Sequence, residues 1–289
     1  MQKIRIGTRE SGLAVAQAEL VAEYIRCSCE GMEPELVTMK TTGDKILGRT
    51  LSQVGGKGLF VKELEHSLRE CRCDIAVHSL KDVPMETAED LPLIGVSARE
   101  DARDVLVLPK DTTTLNPSLP LGTSSPRRTI QLQKLFPQME LKSVRGNILT
   151  RLAKLDRGEY SGLVLAAAGL KRLGLEDRIN RYFSVEEMLP AAGQGVLAVQ
   201  GRSGEDYGYL QGFFDAEALF CVQAERSFVR ALNGGCSLPV AAYAEIGPGG
   251  MLQLTGMYAR ENSLEYQTYR ICGRKEYAEV LGKKLAGEV

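Results

Sequence analysis

The sequence predicts an α/β protein built from two successive strand–loop–helix units and completed by a small α+β segment. Three patterns carry that expectation. Short apolar strands run through polar, glycine-bearing loops into amphipathic helices near the N-terminus, and the same grammar returns from Gly122 onward. Residues 214–289 instead read as a helix, three strands and a helix, the makings of a three-stranded antiparallel sheet with helices. At 289 residues the chain exceeds one ordinary core, and at about 150 residues per domain it divides into two or three.

Residues 3–7 alternate as a strand and break at Gly7-Thr8-Arg9-Glu10-Ser11-Gly12. Leu13, Ala16, Leu20, Val21, Tyr24 and Ile25 then recur at helical spacing up to Arg26. Glu35 to Met39 reads as a second strand and Leu59 to Leu68 as a second helix, joined by a loop ending Gly55-Gly56-Lys57-Gly58. Asp74 to Val77 is a short buried strand, followed at once by His78-Ser79-Leu80-Lys81-Asp82-Val83-Pro84. Strand ends of this kind are where α/β sheets bind ligands.

Leu93 to Ala98 and Val105 to Leu108 read as strands leaving one unit for the next. In the second unit Gly122-Thr123-Ser124-Ser125-Pro126-Arg127-Arg128 opens a helix, with Ser125 as N-cap and Pro126 in the first helical position. Met139 to Val144 reads as a strand ending at Arg145-Gly146-Asn147, and Ile148 to Leu155 as a helix carrying Arg151. Leu163 to Ala167 is a wholly apolar strand, and Arg172 and the loop Ala191-Ala192-Gly193-Gln194-Gly195 follow it. Val196 to Val199 then returns to the first sheet, which makes the first domain discontinuous: 1–97 with 196–213, then 98–195, then 214–289. A helix from Asp215 to Leu232 leads to Asn233-Gly234-Gly235-Cys236-Ser237-Leu238-Pro239, a turn that holds one thiol on a loop. Beyond it come strands at Val240 to Ile246, Met251 to Tyr258 and Glu265 to Ile271, and a helix from Glu276 to Leu285.

Composition narrows the function. Hydrophobic content of 44% and charged content of 25% describe a globular chain. Thirty-six basic against 37 acidic residues leave a net charge of −1, so no global field draws it to nucleic acid or membrane. The first residues run straight into a strand, and no apolar run approaches the roughly 18 residues of a membrane span, so a cytoplasmic location is expected; a monomer is a separate expectation that these features do not supply. Seven scattered cysteines do not form a disulfide framework. The pairs Cys27/Cys29 and Cys71/Cys73 are each one residue short of the usual metal-site gap, so they read as helix-end thiols and no metal is expected.

Any anion site must therefore be local. Arg9, Lys57, Lys81, Arg127, Arg128, Arg145, Arg151 and Arg172 all fall at strand ends or helix starts, most beside Gly, Ser or Thr. A single such cation is an ordinary solvated charge, but a set of them in corresponding loops suits carboxylates or phosphates. Asp82 is the odd acid among them, either an ion-pair partner or a carboxylate that steadies a cation and moves protons. A cysteine-nucleophile hydrolase would want a histidine near Cys236, and neither His66 nor His78 is placed to serve. A non-catalytic solute-binding module is the other alternative, and it would have no use for Cys236 or the third domain.

In their order, several stretches resemble the porphobilinogen deaminase family. They are Gly55 to Glu65, Asp74 to Pro84, Gly122 to Ser125, Arg127-Arg128, Arg145-Gly146-Asn147, Leu170 to Gly174, Gly193-Gln194-Gly195 and Gly234-Gly235-Cys236. The resemblance implies two domains like the type II periplasmic binding proteins, joined by a hinge, with the α+β domain third. It implies a dipyrromethane cofactor joined to Cys236 by a thioether and contacted by Lys81, Asp82, Thr123, Ser124, Ser125, Arg127, Arg128, Arg145 and Gly146. It also implies that porphobilinogen, the substrate, is met by Arg9, Ser11, Lys57, Phe60, Arg145, Arg151, Arg172 and Gln194, with Asp82 catalytic. Each pyrrole bears acetate and propionate, so a growing chain is a growing polyanion that an arginine-lined site would bind. Departures from the family pattern are Gln53, where some members carry lysine, Gly12, where proline is common, and a short stretch after Gly201.

Overall fold

Strands β1 (Gln2–Arg9), β2 (Met32–Met39), β3 (Ile75–Ser79) and β4 (Leu93–Val96) begin the first sheet in the computed structural model, which describes residues 1–45, 61–234, 238–260, 263 and 265–289. β1 runs parallel to both β2 and β3, as helical crossovers require. Helix α1 (Gly12–Ser28) starts at Ser11, whose hydroxyl accepts from the Ala14 amide, and buries Ala18, Val21, Ala22 and Ile25 against Ile4, Ile6, Ile75 and Val77. Helix α2 (Lys62–Arg69) packs Leu64 and Leu68 with Cys73, Ala76 and Leu91. Because Ala76 alternates with Ile75 and Val77 on β3, the two helices cover opposite faces of the sheet.

The second sheet is built from β5 (Asp104–Val107), β6 (Leu121–Gly122), β7 (Leu141–Lys142), β8 (Gly162–Ala166) and β9 (Arg181–Tyr182). Its helices are α3 (Pro126–Leu135), α4 (Ile148–Asp156) and α5 (Ala167–Lys171). β6 is parallel to β7 and β8, whereas β5 is antiparallel to β8 and β9. β10 (Leu197–Gly201) then returns to the first sheet, antiparallel to β3 and β4. The orders β2-β1-β3-β10-β4 and β7-β6-β8-β5-β9 are the same pattern: second, first, third, crossing strand, fourth. In each sheet the antiparallel member is the strand that arrived from the other.

The strand expected at 139–144 contracts to two residues because side chains claim its backbone. Ser124 Oγ donates to the Val144 carbonyl at 2.6 Å and accepts from the Val144 amide at 3.1 Å, pulling that end into a loop. Ala167, expected to close the β8 strand, instead begins α5.

The chain groups into two units, Met1–Arg99 with Val196–Leu219, and Glu100–Gly195 with Phe220–Val289. The second includes β11 (Val240–Ile246), β12 (Met251–Tyr258) and β13 (Gln267–Arg274), an antiparallel meander, and helix α7 (Ala278–Ala286). Helix α6 (Ala216–Ala231) packs so closely on β12 that a Cβ on Gly256 would stand 2.5 Å from the Phe228 ring, so only glycine fits there. The other face of the meander, through Ala241, Met257 and Ala259, meets Ile130 of α3 and Leu189. Among the described residues no helix is long and apolar enough to cross a membrane.

Candidate functional site

In the first unit, β1 delivers Arg9, half-buried, to the loop before α1, and β3 delivers Asp82. β3 passes into a single 3-10 turn, Leu80–Asp82. Leu80 and Val83 are buried on either side, and the Leu80 amide donates to the Val196 carbonyl at 3.0 Å, so the turn is pinned. Lys81 is left half-buried and Asp82 exposed at the carboxyl end of the strand. Ser79 Oγ donates to Gln17 on α1 at 3.0 Å, which fixes the approach to that turn.

His78 supports the same strand from the inside. The Gln200 amide nitrogen donates to the Leu91 carbonyl at 2.9 Å, so its oxygen faces His78 Nε2 at 3.1 Å and accepts from it. Burial pushes the His78 imidazole down to about 4, opposed by that bond and aided by Arg9. The unfolded chain therefore takes up a proton first as pH falls. Stability is unaffected by this group above about 6.5 and is lost progressively toward 4, at about 1.4 kcal/mol per pH unit and about 3 kcal/mol in all. A His78→Gln variant should show a flatter decline than the native protein between pH 6.5 and 4.5 in urea unfolding, and parallel declines would rule the histidine out as the cause.

In the second unit the ends of β6 and β7 lie side by side, and the loops leaving them are tied together. Thr123 is buried, its amide donating to the Lys142 carbonyl at 3.0 Å, and Ser124 holds Val144 as described and approaches Ser143 Oγ at 2.9 Å. Ser125 caps α3 by accepting from the Arg128 amide, and Asn147 caps α4 by accepting from the Thr150 amide at 2.9 Å. Two helix N-termini thus open beside each other, each carrying a partial positive charge. Gly146 between them has φ +109, a backbone setting that other residues avoid. Its carbonyl accepts from Arg151 Nε at 2.8 Å, and the Arg145 carbonyl accepts from Lys154 Nζ at 3.3 Å, so three cationic side chains gather on this loop.

Arg127 and Arg128 differ from the sequence expectation of open, loop-borne cations. They are 4% and 7% exposed, and both guanidinium groups are turned onto Asp104, which is 0% exposed. Arg127 Nη1 donates to Asp104 Oδ2 at 2.7 Å and to the Leu189 carbonyl at 2.7 Å, and Arg128 Nη2 donates to Oδ1 at 2.8 Å. Gln194, 1% exposed, joins them by donating to the same Oδ1 at 2.9 Å and to the Ala102 carbonyl at 2.6 Å. Burial pushes the Asp104 carboxyl up, but the two guanidiniums more than reverse this by charge and hydrogen bond and hold it well below the usual carboxylate range. Two guanidiniums against one carboxylate leave the cluster one positive charge in excess. Sequence reasoning missed Asp104, although an acid heading an otherwise apolar strand was a visible signal.

Arg172, half-buried past the end of α5, donates Nη2 to the Gly195 carbonyl at 2.5 Å, and burial pulls its guanidinium down to about 10, still charged at neutral pH. Gln53, Lys57, Phe60 and Cys236 lie outside the described residues. The flanks of the cysteine turn are described: α6 ends at Ala231, Asn233 takes φ +52, the Gly234 amide donates to the Val229 carbonyl at 2.8 Å, and β11 begins at Val240. Of the paired thiols, Cys27 and Cys71 are exposed, Cys29 is half-buried with its Sγ on the Tyr209 carbonyl at 3.2 Å, and Cys73 is buried.

The two sheets of like strand order, each with one antiparallel strand from across the chain, and the antiparallel meander that follows define a mixed α/β protein with cationic loops at its strand ends. A family profile described as "Porphobilinogen deaminase, dipyromethane cofactor binding domain" matches residues 4–208, and one described as "Porphobilinogen deaminase, C-terminal domain" matches residues 219–289. The chain is 56% identical over 285 residues to a porphobilinogen deaminase of Alkaliphilus oremlandii, covering 98% of this chain and 95% of that one. It is 52% identical to one from Ruminiclostridium cellulolyticum, covering 99% and 97%. Among solved structures it is similar to the methionine-binding protein MetQ, with TM-score 0.47 and 14% identity over 78% of this chain and 91% of that one. The chain belongs to the porphobilinogen deaminase family.

Proposed function

We propose that this chain joins four porphobilinogen molecules head to tail on a dipyrromethane primer bound through a thioether to Cys236, releasing ammonia at each addition and finally the linear tetrapyrrole by hydrolysis. The match to both family domains, 4–208 and 219–289, carries this reading. We further propose a cytoplasmic monomer working as three domains, 1–97 with 196–213, 98–195 and 214–289.

The residues present suit the cofactor. A dipyrromethane bears acetate and propionate carboxylates, and the β6 and β7 loops offer hydroxyls, two capped helix N-termini and guanidiniums, the donor set such acids need. Thr123, Ser124, Ser125, Arg145 and Gly146, with Lys81 and Asp82, would hold it, and the excess charge of the Arg127–Arg128–Asp104 cluster would act beneath. When bound, the dipyrromethane supplies the free pyrrole carbon that takes the first substrate unit. Arg9, Ser11, Lys57, Arg145, Arg151, Arg172 and Gln194 are proposed to bind and orient the substrate carboxylates and Phe60 to pack on its ring. Asp82, exposed on a pinned turn, is proposed to hold and return protons at the pyrrole nitrogen while ammonia departs.

Intact-mass measurement of the purified protein tests this directly. A covalent oligopyrrole adduct is expected on the native chain and its absence on Cys236→Ala, together with loss of ammonia release from porphobilinogen. An active native protein with the unmodified mass would overturn the reading.

A further inference from the structure

Glu225 is 0% exposed on α6, the helix that leads to Cys236, and both of its carboxylate oxygens are engaged by backbone amides from elsewhere. The Ala244 amide, on the strand that follows the cysteine turn, donates to Oε1 at 2.8 Å. The Gly193 amide, in the loop 191–195, donates to Oε2 at 2.7 Å. One carboxylate therefore ties together the segment before the turn, the segment after it, and a loop in which Gly193 and Gly195 take φ +73 and +88. A second tie runs alongside, from the Ala242 amide to the Pro190 carbonyl at 3.2 Å.

The residue after Gly193 is Gln194, whose amide donates to Asp104, the acid that holds Arg127 and Arg128. A continuous run of short hydrogen bonds thus leads from the arms of the cysteine turn, through Glu225 and the 193–194 backbone, to the arginine pair. Charged carboxylates accepting from backbone amides make bonds about twice as strong as neutral ones. A dipyrromethane primer tethered at its thioether and neutralised at its carboxylates spans a set distance, so the two points must be held at a set separation, and small misplacements are costly in rate.

We infer that Glu225 is a positioning residue, fixing the segments on either side of Cys236 against the Gln194–Asp104–arginine cluster so that a primer tethered there lies in register with its cations. This rests on the cofactor reading above. Glu225→Gln keeps the size of the side chain but sets an amide nitrogen against one of the two N–H donors, and Glu225→Asp keeps the charge but is too short to reach both.

The test compares the native protein with both variants by intact mass, by thermal unfolding, and by kcat and KM for porphobilinogen, with kcat counted per adduct-bearing molecule. The expected result is a folded variant whose kcat per loaded molecule falls about tenfold or more with KM little changed. A merely structural role would lower the unfolding temperature or the loaded fraction while leaving kcat per loaded molecule at the native value, and that outcome overturns the inference. Failure of both variants to fold would make the carboxylate a requirement of folding and overturn it equally. A native protein without adduct would instead sink the cofactor reading, so the two failures are distinguishable.

Discussion

Asp82→Asn should leave the protein folded and its turnover of porphobilinogen lower by about 10²- to 10⁴-fold, the range a positioned proton-transfer group contributes. Asn has the shape of Asp but neither its charge nor its capacity to take and return a proton. The fold should survive because the turn is anchored by its neighbours: Leu80 and Val83 are buried, Leu80 is bonded to Val196, and Asp82 itself is exposed. Steady-state kinetics on a variant with the native circular dichroism spectrum decides the matter. Since the lost interaction is proposed for the reacting state, kcat should fall with little change in KM. Near-native turnover would remove Asp82 from the chemistry.

Asp104→Asn should destabilise the protein by about 3–5 kcal/mol, the cost of leaving buried charge uncompensated. Arg127 and Arg128, 4% and 7% exposed, would face each other with no carboxylate between them, and Gln194 would lose its charged acceptor. Against a total stability of about 5–15 kcal/mol for a typical domain this is a large share. The native pairing persists under acid, because the depressed carboxyl pKa keeps its contribution in full above the ordinary carboxylate value and yields it only as pH falls below that. Urea unfolding of both proteins at neutral pH measures the loss. A difference under about 1 kcal/mol, the range of an exposed pair, would show that the cluster is solvated in practice.

Legibility from the sequence followed how local each signal was. Ser125 and Pro126 marked the start of α3 correctly because a cap and a first-turn proline act within four residues of each other. The β11 and β12 strands fell on their expected bounds because alternation of apolar positions is read along one stretch of chain. The strand at 139–144 did not, since what shortened it was the hydroxyl of Ser124, 20 residues earlier. The strand-end placing of Asp82 could be read directly, whereas the burial of Arg127 and Arg128 could not. Nothing near those arginines in the chain announces Asp104, which stands 23 and 24 positions away, or Gln194, which stands 90 positions from that acid.

What the sequence alone determined was the family, the α/β grammar, and the placing of Arg9 and Asp82 at the ends of their strands. These depend on residue type and on spacing along the chain, which a sequence carries in full. Only the tertiary structure decided which cations already have a protein counter-ion, that Glu225 binds both arms of the cysteine turn to the 191–195 loop, and that each sheet takes its antiparallel strand from across the chain. The physical reason is that charge pairing and burial depend on distance in space, and folding brings together groups whose separation in sequence says nothing about it.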